Sequence, residues 1–291
     1  MFIRCLDISF LMNGVVHRYR RNFLHPYVTL LKVFLKSYPF NVKTREGRDY
    51  KIRNGNEIFL LSLNGINNVK IYLDGDTILL NFLGKTLKFD GATDDGDING
   101  VFFLEQYAQI DPRGRVVIDI GANIGDSSIY FAARLAEKVF ALEPFPQTYA
   151  LAKHNVRINN LDKVVTLLNL AIADKAGIVF VDKDAKDTAG KTPSKSMSSF
   201  EPKNVVGVTT ITFEELFDNY KLSDVILKMD CEGCEFEVIP NLKSEISAKI
   251  SSVIMEYHAD PEPIIKRLQT LGFRISTKRS GNGGILFAKR N

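Results

Sequence analysis

RVVIDIGANIGDSS at residues 115–128 and VFALEPFP at residues 139–146 are the two segments from which a β-α-β unit is predicted. The Val-Val-Ile run that opens the first segment is apolar and β-branched, as in a buried parallel strand. Asp126, Ser127 and Ser128 are residue types that start helices. Apolar residues then recur at helical spacing up to Ala136. The second segment predicts a strand that ends at an acidic residue.

The glycines and acidic residues of this unit indicate which nucleotide it binds. Glu143 lies 24 residues after Asp119, a distance at which an acidic residue accepts hydrogen bonds from ribose hydroxyls. Gly121 and Gly125 bracket a tight turn where a ligand can approach the backbone without meeting a Cβ. The turn lacks the G-x-G-x-x-G spacing of a pyrophosphate site, and Asp119 suits an ammonium group better than a phosphate. S-adenosylmethionine fits this pattern; the alternatives are a structural strand-turn-helix or a flavodoxin-like turn.

Three motifs together resemble the FkbM family of S-adenosylmethionine-dependent methyltransferases. They are DIGANIGDSSIY at 119–130, EPFP at 143–146 and KMDCEGCE at 228–235, and the resemblance extends over residues 96–290. It implies an α/β fold with a Rossmann-like class I methyltransferase sheet, mostly parallel with one antiparallel C-terminal strand. It also implies O-methylation of a hydroxyl on a small-molecule, sugar, glycan or polyketide-like acceptor.

The resemblance further implies a set of residues around the cofactor. Asp119, Gly121, Asn123 and Gly125 would surround the methionine moiety, and Glu143 would bind the ribose. Ala171 follows a strand whose end contacts the adenine in such folds. The full cofactor-binding set is Glu105, Tyr107, Asp119, Gly121, Asn123, Gly125, Asp126, Glu143, Pro144, Phe145, Ala171 and Asp230.

Polar residues at the ends of two further predicted strands are the candidates for catalysis. Asp230 and Glu232 follow one strand, and Glu256 and His258 follow the next. Because ligands bind at the carboxyl ends of parallel strands, the strand-end residues Asp119, Glu143, Asp230 and Glu256 are expected to converge on one crevice. Methylation of a hydroxyl needs a general base, so Asp230, Glu232 and His258 are the predicted catalytic residues. Helix capping is the structural alternative, and the same groups could bind Mg²⁺, although no spacing requires a metal.

Charge and cysteine content limit the partners and the compartment. The net charge of +4 on 291 residues is too small to indicate nucleic acid. Residues 1–50 carry nine Lys/Arg against three Asp/Glu. This basic arm could contact a membrane peripherally through residues 1–37, but a solvated surface is the favoured interpretation. Three cysteines predict a cytoplasmic protein, with Cys231 and Cys234 as packing residues or, alternatively, a redox pair.

The chain is predicted to contain two regions. Residues 1–95 form a helical and antiparallel β region, and residues 96–291 form the methyltransferase domain. The polar stretch 182–204 is either a lid over the site or disordered. Two rival functions remain at this level, an NAD-dependent oxidoreductase and a non-catalytic binding protein on the same fold. The sequence does not indicate an oligomeric state.

Overall fold

The computed structural model describes residues 14–91, 98–185, 193–195, 204–280 and 283–290. The chain divides into two compact units, Met1–Phe89 and Asp90–Asn291. The sequence analysis placed this division a few residues later, between residues 95 and 96. A turn is also predicted at 280–283 and an acidic, glycine-rich linker at 91–100; residues 281–282 of the turn and 92–97 of the linker lie outside the described residues. Among the described helices, none has both the length and the apolar character to cross a membrane.

The first unit combines short helices with two small antiparallel sheets, β1-β2 and β3-β4-β5. Consecutive strands of these sheets are joined as hairpins, and the last turn is at Leu83–Gly84. Its core contains Tyr19, Phe23 and Phe40. The elements are a helical segment at 14–22, α1 (Pro26–Phe34), β1 (Phe40–Lys43), β2 (Asp49–Ile52), α2 (Gly55–Ser62), a 3-10 turn (Ile66–Asn68), β3 (Lys70–Asp74), β4 (Thr77–Phe82) and β5 (Lys85–Phe89).

The second unit is built on a seven-stranded sheet of order β14-β15-β13-β12-β6-β7-β8. Only β15 runs antiparallel to its neighbours, so the predicted fold class is confirmed. The elements are a π-helical turn (Asn99–Phe103), β6 (Val116–Ile120), α3 (Asp126–Ala133), β7 (Lys138–Leu142), α4 (Pro146–Ile158), β8 (Val165–Leu168), β9 (Ala171–Ile172), β10 (Gly177–Asp182), β11 (Val205–Ile211), α5 (Phe213–Tyr220), β12 (Val225–Met229), α6 (Glu235–Val238), α7 (Ser244–Ser247), β13 (Ile250–Tyr257), α8 (Glu262–Thr270), β14 (Phe273–Ser280) and β15 (Gly283–Arg290).

Local sequence signals explain where several of these elements begin. Pro146 occupies the first turn of α4, where its missing N–H costs nothing. Thr212 and Glu215 form a capping box at the start of α5. The helix α3 differs from expectation, because all eight of its residues are buried and it has no solvent face. Its Ser and Asp side chains therefore find partners inside the protein.

A three-stranded sheet of order β10-β11-β9 was not anticipated from the sequence. Its strands β10 and β11 flank the stretch that was predicted as a long loop, so the chain leaves the sheet at Asp182 and returns at Val205. Of the intervening residues, 186–192 and 196–203 lie outside the described part of the chain. The prediction of a lid or of disorder there is not tested.

Gly121 follows β6 where that strand meets the end of β12. Its φ is +76°, and a Cβ built on it would lie 1.8 Å from the carbonyl oxygen of Asp230. At Gly125, with φ +86°, a Cβ would lie 3.4 Å from Ala152. Gly121 also lines the cavity described below, whereas Gly125 does not. At Gly121 the missing side chain allows the chain to pack against a neighbouring strand end.

Substitution Gly121→Ala is expected to destabilise the protein far more than Gly114→Ala. Both glycines have positive φ, +76° and +64°, but a Cβ at Gly114 meets nothing within 4 Å. Gly114→Ala should therefore lower the free energy of unfolding only by the cost of a left-handed backbone conformation for alanine, about 1–2 kcal/mol. Gly121→Ala should cost several kcal/mol, because the backbone of Asp230 must shift. Urea unfolding of the two variants measures the difference, and equal losses would contradict this account.

Candidate functional site

One cavity of about 410 Å³ opens at the carboxyl ends of the central strands. One residue from each of four neighbouring strands is in register with the others. They are Met255 in β13, Met229 in β12, Ile120 in β6 and Leu142 in β7. The residues that follow them are Glu256, Asp230, Gly121 and Glu143, and all four line the cavity. With neighbouring strands about 4.8 Å apart, these residues form a row of roughly 14 Å along one sheet edge. Three of the four residues that were expected to converge, Glu143, Asp230 and Glu256, thus line one cavity, whereas Asp119 does not.

A buried ion pair lies behind this row. Lys228 Nζ is 2.9 Å from Asp119 Oδ1, and the two residues are 1% and 0% exposed. Lys228 also donates to the carbonyl oxygen of Gly121 at 2.7 Å, while Asp119 Oδ2 accepts hydrogen bonds from Ser127 and Ser128. Burial by itself would lower the pKa of Lys228, but the charges of Asp119 and Asp230 raise it above its ordinary value. The ammonium group is therefore charged and holds the strand ends together.

This pair corrects the expected position of Asp119. The sequence analysis placed Asp119 against the ammonium group of the cofactor, but the carboxylate does not line the cavity. The ammonium group that it contacts belongs to Lys228 of the same chain.

Glu143 is a buried carboxylate in the cavity wall at the end of β7. Its Oε2 accepts from the backbone N–H of Asn123 at 2.9 Å, and its Oε1 accepts from that of Phe145 at 3.0 Å. Asn169 fixes the following segment by donating to the carbonyl oxygens of Glu143 and Pro144. Burial raises the pKa of Glu143 from 4.5 to about 7. Each carboxylate oxygen can accept a further hydrogen bond, as a ribose hydroxyl would require.

The charges that line the cavity suit a cationic ligand. Six carboxylates line it (Asp126, Glu143, Asp230, Glu232, Glu237 and Glu256), against only two lysines (Lys195 and Lys228). Burial also raises the pKa of Asp126 to about 7. A dinucleotide would bring a pyrophosphate into this negative field, whereas S-adenosylmethionine carries positive charge and no phosphate. The residues present therefore fit S-adenosylmethionine, with the predicted ribose acceptor Glu143 in the cavity wall.

At the opposite end of the row, carboxylates surround His258. Its Nε2 lies 3.3 Å from Glu232 and 4.0 Å from Glu256, and its Nδ1 lies 3.4 Å from Glu235. The hydrogen bond with Glu235 is the main reason that the pKa of His258 rises to about 9, and the charge of Glu232 adds to it. Burial, with the charge of Asp230, raises the pKa of Glu256 to about 7. His258 is therefore protonated at neutral pH, whereas Glu256 is half ionised.

Asp230, Glu232 and His258 also satisfy the spatial requirement for a metal site. One ligand-type atom of each lies within 4.8 Å of the others. The ion pairs between His258 and the glutamates already account for this closeness, so we assign no metal to them. Burial raises the pKa of Asp230, while the charges of Lys228 and His258 oppose that shift.

Cys231 and Cys234 form a disulfide in the segment that follows β12. They were predicted to be packing residues or, alternatively, a redox pair. Both pack against the large core cluster of the second unit, and their sulfur atoms are bonded to each other, as the alternative allowed. Both residues line the cavity, together with Glu232 and Gly233 between them.

Most of the predicted site residues line the cavity, and four do not. The lining residues are Tyr107, Gly121, Asn123, Asp126, Glu143, Pro144, Phe145, Ala171, Asp230 and Glu232. Glu105 has a φ of +50° after the π-helical turn and is exposed, so its neighbour Gln106 lines the cavity instead. Asp119 and Gly125 do not line the cavity. His258 does not line it either, but it forms an ion pair with Glu232, which does.

Three residues that line or support the cavity wall were missed or underused in the prediction from sequence. Lys228 stands in a strand whose five residues are all buried, and a lysine within such an apolar run is a detectable signal. Glu256 was recognised at a strand end but not as a catalytic candidate. Asn169 gave no signal, because its contacts with the Glu143 segment depend on the position of β8.

Two described residues of the stretch between β10 and β11 reach the cavity. Pro193 and Lys195 line it, and Lys195 Nζ lies 2.8 Å from Glu237 Oε1. Ser194 exchanges backbone hydrogen bonds with Phe180 of β10. This part of the stretch is thus tied to the cavity wall.

Comparisons with known proteins agree with this geometry. Residues 119–275, more than half of the chain, match the family described as "Methyltransferase FkbM domain". The methyltransferase sdnD of Sordaria araneosa is 24% identical over 201 residues, which cover 58% of this chain and 77% of the relative.

Solved structures of methyltransferases are similar at lower identity. TrmK of M. capricolum, solved with S-adenosylhomocysteine, is 14% identical, with a TM-score of 0.42 and coverage of 65% of this chain and 68% of the other. A putative rRNA methylase of Clostridium thermocellum is 11% identical, with a TM-score of 0.42 and coverage of 65% and 94%.

Substitution Glu143→Gln is expected to change how stability depends on pH. Because the folded pKa is raised from 4.5 to about 7, the folded state keeps a proton that the unfolded chain releases between these values. The free energy of unfolding should therefore fall as pH rises through this window, by up to about 1.4 kcal/mol per unit from Glu143. Glu143→Gln should make the slope shallower.

Urea unfolding at about pH 5 and about pH 7 measures this slope. The exposed Glu245, replaced in Glu245→Gln, is the matched control and should leave the slope unchanged. A Glu143→Gln variant with the slope of the parent protein would contradict the assignment.

Proposed function

Because the chain belongs to the FkbM family of methyltransferases and uses S-adenosylmethionine as its cofactor, we propose that it methylates a hydroxyl group of a sugar, glycan or polyketide-like small molecule. The observation that carries this proposal is the row of carboxylates along the cavity. Glu143 stands at its β7 end, and Asp230 and Glu256 stand at its β12 and β13 end. One end suits a ribose and the other suits an acceptor that must lose a proton.

In this proposal the β7 end of the cavity holds the cofactor. Glu143 would accept hydrogen bonds from the ribose, Phe145 and Ala171 would border the adenine, and Gly121 and Asn123 would border the methionine moiety. When bound, S-adenosylmethionine supplies an electrophilic methyl group on a positively charged sulfur. The excess of carboxylates around the cavity favours that positive charge over neutral or anionic ligands.

Glu256 is the proposed general base. Its pKa of about 7 lies near neutral pH, where a base combines adequate ionisation with proton affinity. Its carboxylate takes the proton of the acceptor hydroxyl, and Asp230 beside it orients that hydroxyl. His258 is too basic to serve as a free base at neutral pH, because its pKa is raised to about 9. Its positive charge instead pairs with Glu232 and positions it, while Glu235 holds the imidazole.

The roles of Asp230, Glu232 and His258 thus change from those first predicted. All three stay in the proposed acceptor end of the cavity. The role of general base is assigned to Glu256, because its pKa of about 7 lies near neutral pH. An oxidoreductase is set aside by the family assignment. The cytoplasmic location inferred from the cysteine count stays a prediction.

Cofactor affinity tests the proposed β7 end. Glu143→Gln should weaken binding of S-adenosylmethionine and S-adenosylhomocysteine by at least about tenfold, because hydrogen bonds to a charged acceptor contribute roughly 1.5–3 kcal/mol. Isothermal titration calorimetry measures the change, and Glu245→Gln should bind as the parent does. Unchanged affinity in Glu143→Gln would remove Glu143 from the ribose site.

The pH dependence of turnover tests the acceptor end. Methyl transfer should rise through about pH 7 as Glu256 loses its proton, and fall above about pH 9 as His258 loses its charge. Glu256→Gln should lower kcat by about 10²–10⁴-fold and abolish the acidic limb. Formation of S-adenosylhomocysteine with a panel of hydroxyl acceptors gives the rate.

Two controls separate catalysis from folding. Glu262→Gln replaces an exposed glutamate of α8 and should keep the parent profile. Calorimetry should show that Glu256→Gln still binds S-adenosylmethionine. Full turnover in Glu256→Gln would overturn the assignment of the base, and cofactor binding without turnover on any hydroxyl acceptor would favour the non-catalytic alternative.

A further inference from the structure

The helix α1 of the first unit exposes an apolar face. Tyr27, Val28, Leu31, Phe34 and Leu35 are 63%, 54%, 57%, 83% and 61% exposed. Positions 27, 28, 31, 34 and 35 share one side of a helix, since residues three and four apart are neighbours on its surface. Leu24, just before the helix, is 42% exposed as well. We call this set of six residues the outer face of α1.

The opposite side of the same helix already packs on its own unit. Thr29 is buried, and Leu30 and Val33 contact the core cluster that contains Phe23 and Phe40. The outer face is therefore not needed to hold α1 in place. A helix that is apolar on both sides, with one side left in water, indicates that a partner covers the exposed side.

The charged side chains of the segment that contains the outer face are all basic. Residues 14–45 contain seven Lys/Arg and no Asp or Glu, and residues 14–89 contain thirteen Lys/Arg against five Asp/Glu. Lys32 stands one turn after Val28, and Lys36 is exposed just beyond the helix. A partner that covers the apolar side chains would thus meet a positive rim. This charge pattern matches an anionic surface.

We propose that the outer face of α1 docks on an anionic lipid membrane. The helix lies in the plane of the interface, with its apolar side chains among the acyl chains and its basic rim at the lipid headgroups. At nine residues and roughly 13 Å, α1 is far too short to span a bilayer, so the contact is peripheral. This docking is independent of the methyl transfer proposed above.

A second copy of the chain fits the outer face less well. Stable protein interfaces use about 20–30 residues a side, and the outer face offers six. Two copies joined there would also bring two positive rims together, with no acidic residue between 14 and 45 to offset them. A membrane needs no matching protein surface and supplies the opposite charge.

Vesicle co-sedimentation of the full chain tests the proposal. The protein should bind vesicles of phosphatidylglycerol and phosphatidylcholine, bind pure phosphatidylcholine much more weakly, and lose affinity as ionic strength rises. The double substitution Leu31→Ser and Phe34→Ser should weaken binding by at least about tenfold, because it removes apolar surface that the lipid buries. Lys32→Gln with Lys36→Gln should weaken binding by about fivefold per lysine.

The matched control is Ile178→Ser, which removes an apolar side chain with 62% exposure from the second unit. It should bind vesicles as the parent does, and circular dichroism should show parental folding for all three variants. Failure of the parent to bind either vesicle, or parental binding by the Leu31/Phe34 variant, would overturn the proposal.

Two further results would also overturn it. Sedimentation velocity that shows a dimer of the parent and a monomer of the Leu31/Phe34 variant would assign the outer face to a second copy. Vesicle binding that appears only after deletion of residues 1–13 would assign it to the chain's own N-terminal segment.

Discussion

The contact between Lys228 and Asp119 is the interaction on which the rest of the second unit depends. It joins β12 to β6, and through Ser127 and Ser128 it also holds the buried helix α3. Two charges out of water are stable only when each is paired and hydrogen-bonded, and loss of one partner of such a pair typically costs 3–5 kcal/mol. The pair therefore keeps the ends of the two central strands level with each other.

The level strand ends explain the chemistry of the cavity. Because β13, β12, β6 and β7 stop at the same height, the next residues Glu256, Asp230, Gly121 and Glu143 form one row. Few cations offset their charge, so burial raises the pKa values of Glu143 and Glu256 to about 7. The cost of crowding carboxylates is offset when a cationic ligand occupies the cavity.

Much of this could be predicted from the sequence because it depends on neighbours in the chain. The β-α-β unit, the Glu143 tip and the capping box at Thr212 are local patterns, and all are present. The position of Asp119 was misjudged because its partner Lys228 is 109 residues away. Glu105 was misplaced because it is exposed, with a positive φ just after a π-helical turn, and the sequence carries no signal for that backbone conformation.

By itself, the sequence determined the class of fold, the nucleotide-binding turn and the acidic residues at the strand ends, since periodicity and turn residues act over a few positions. Only the tertiary structure decided which carboxylate has a pKa near neutral pH, which ammonium group neutralises Asp119, and that the apolar side of α1 faces solvent. Those properties depend on burial and on the distances between residues far apart in the chain. Burial and these distances are determined by strand register and helix packing. Register and packing are not encoded in any single segment of the chain.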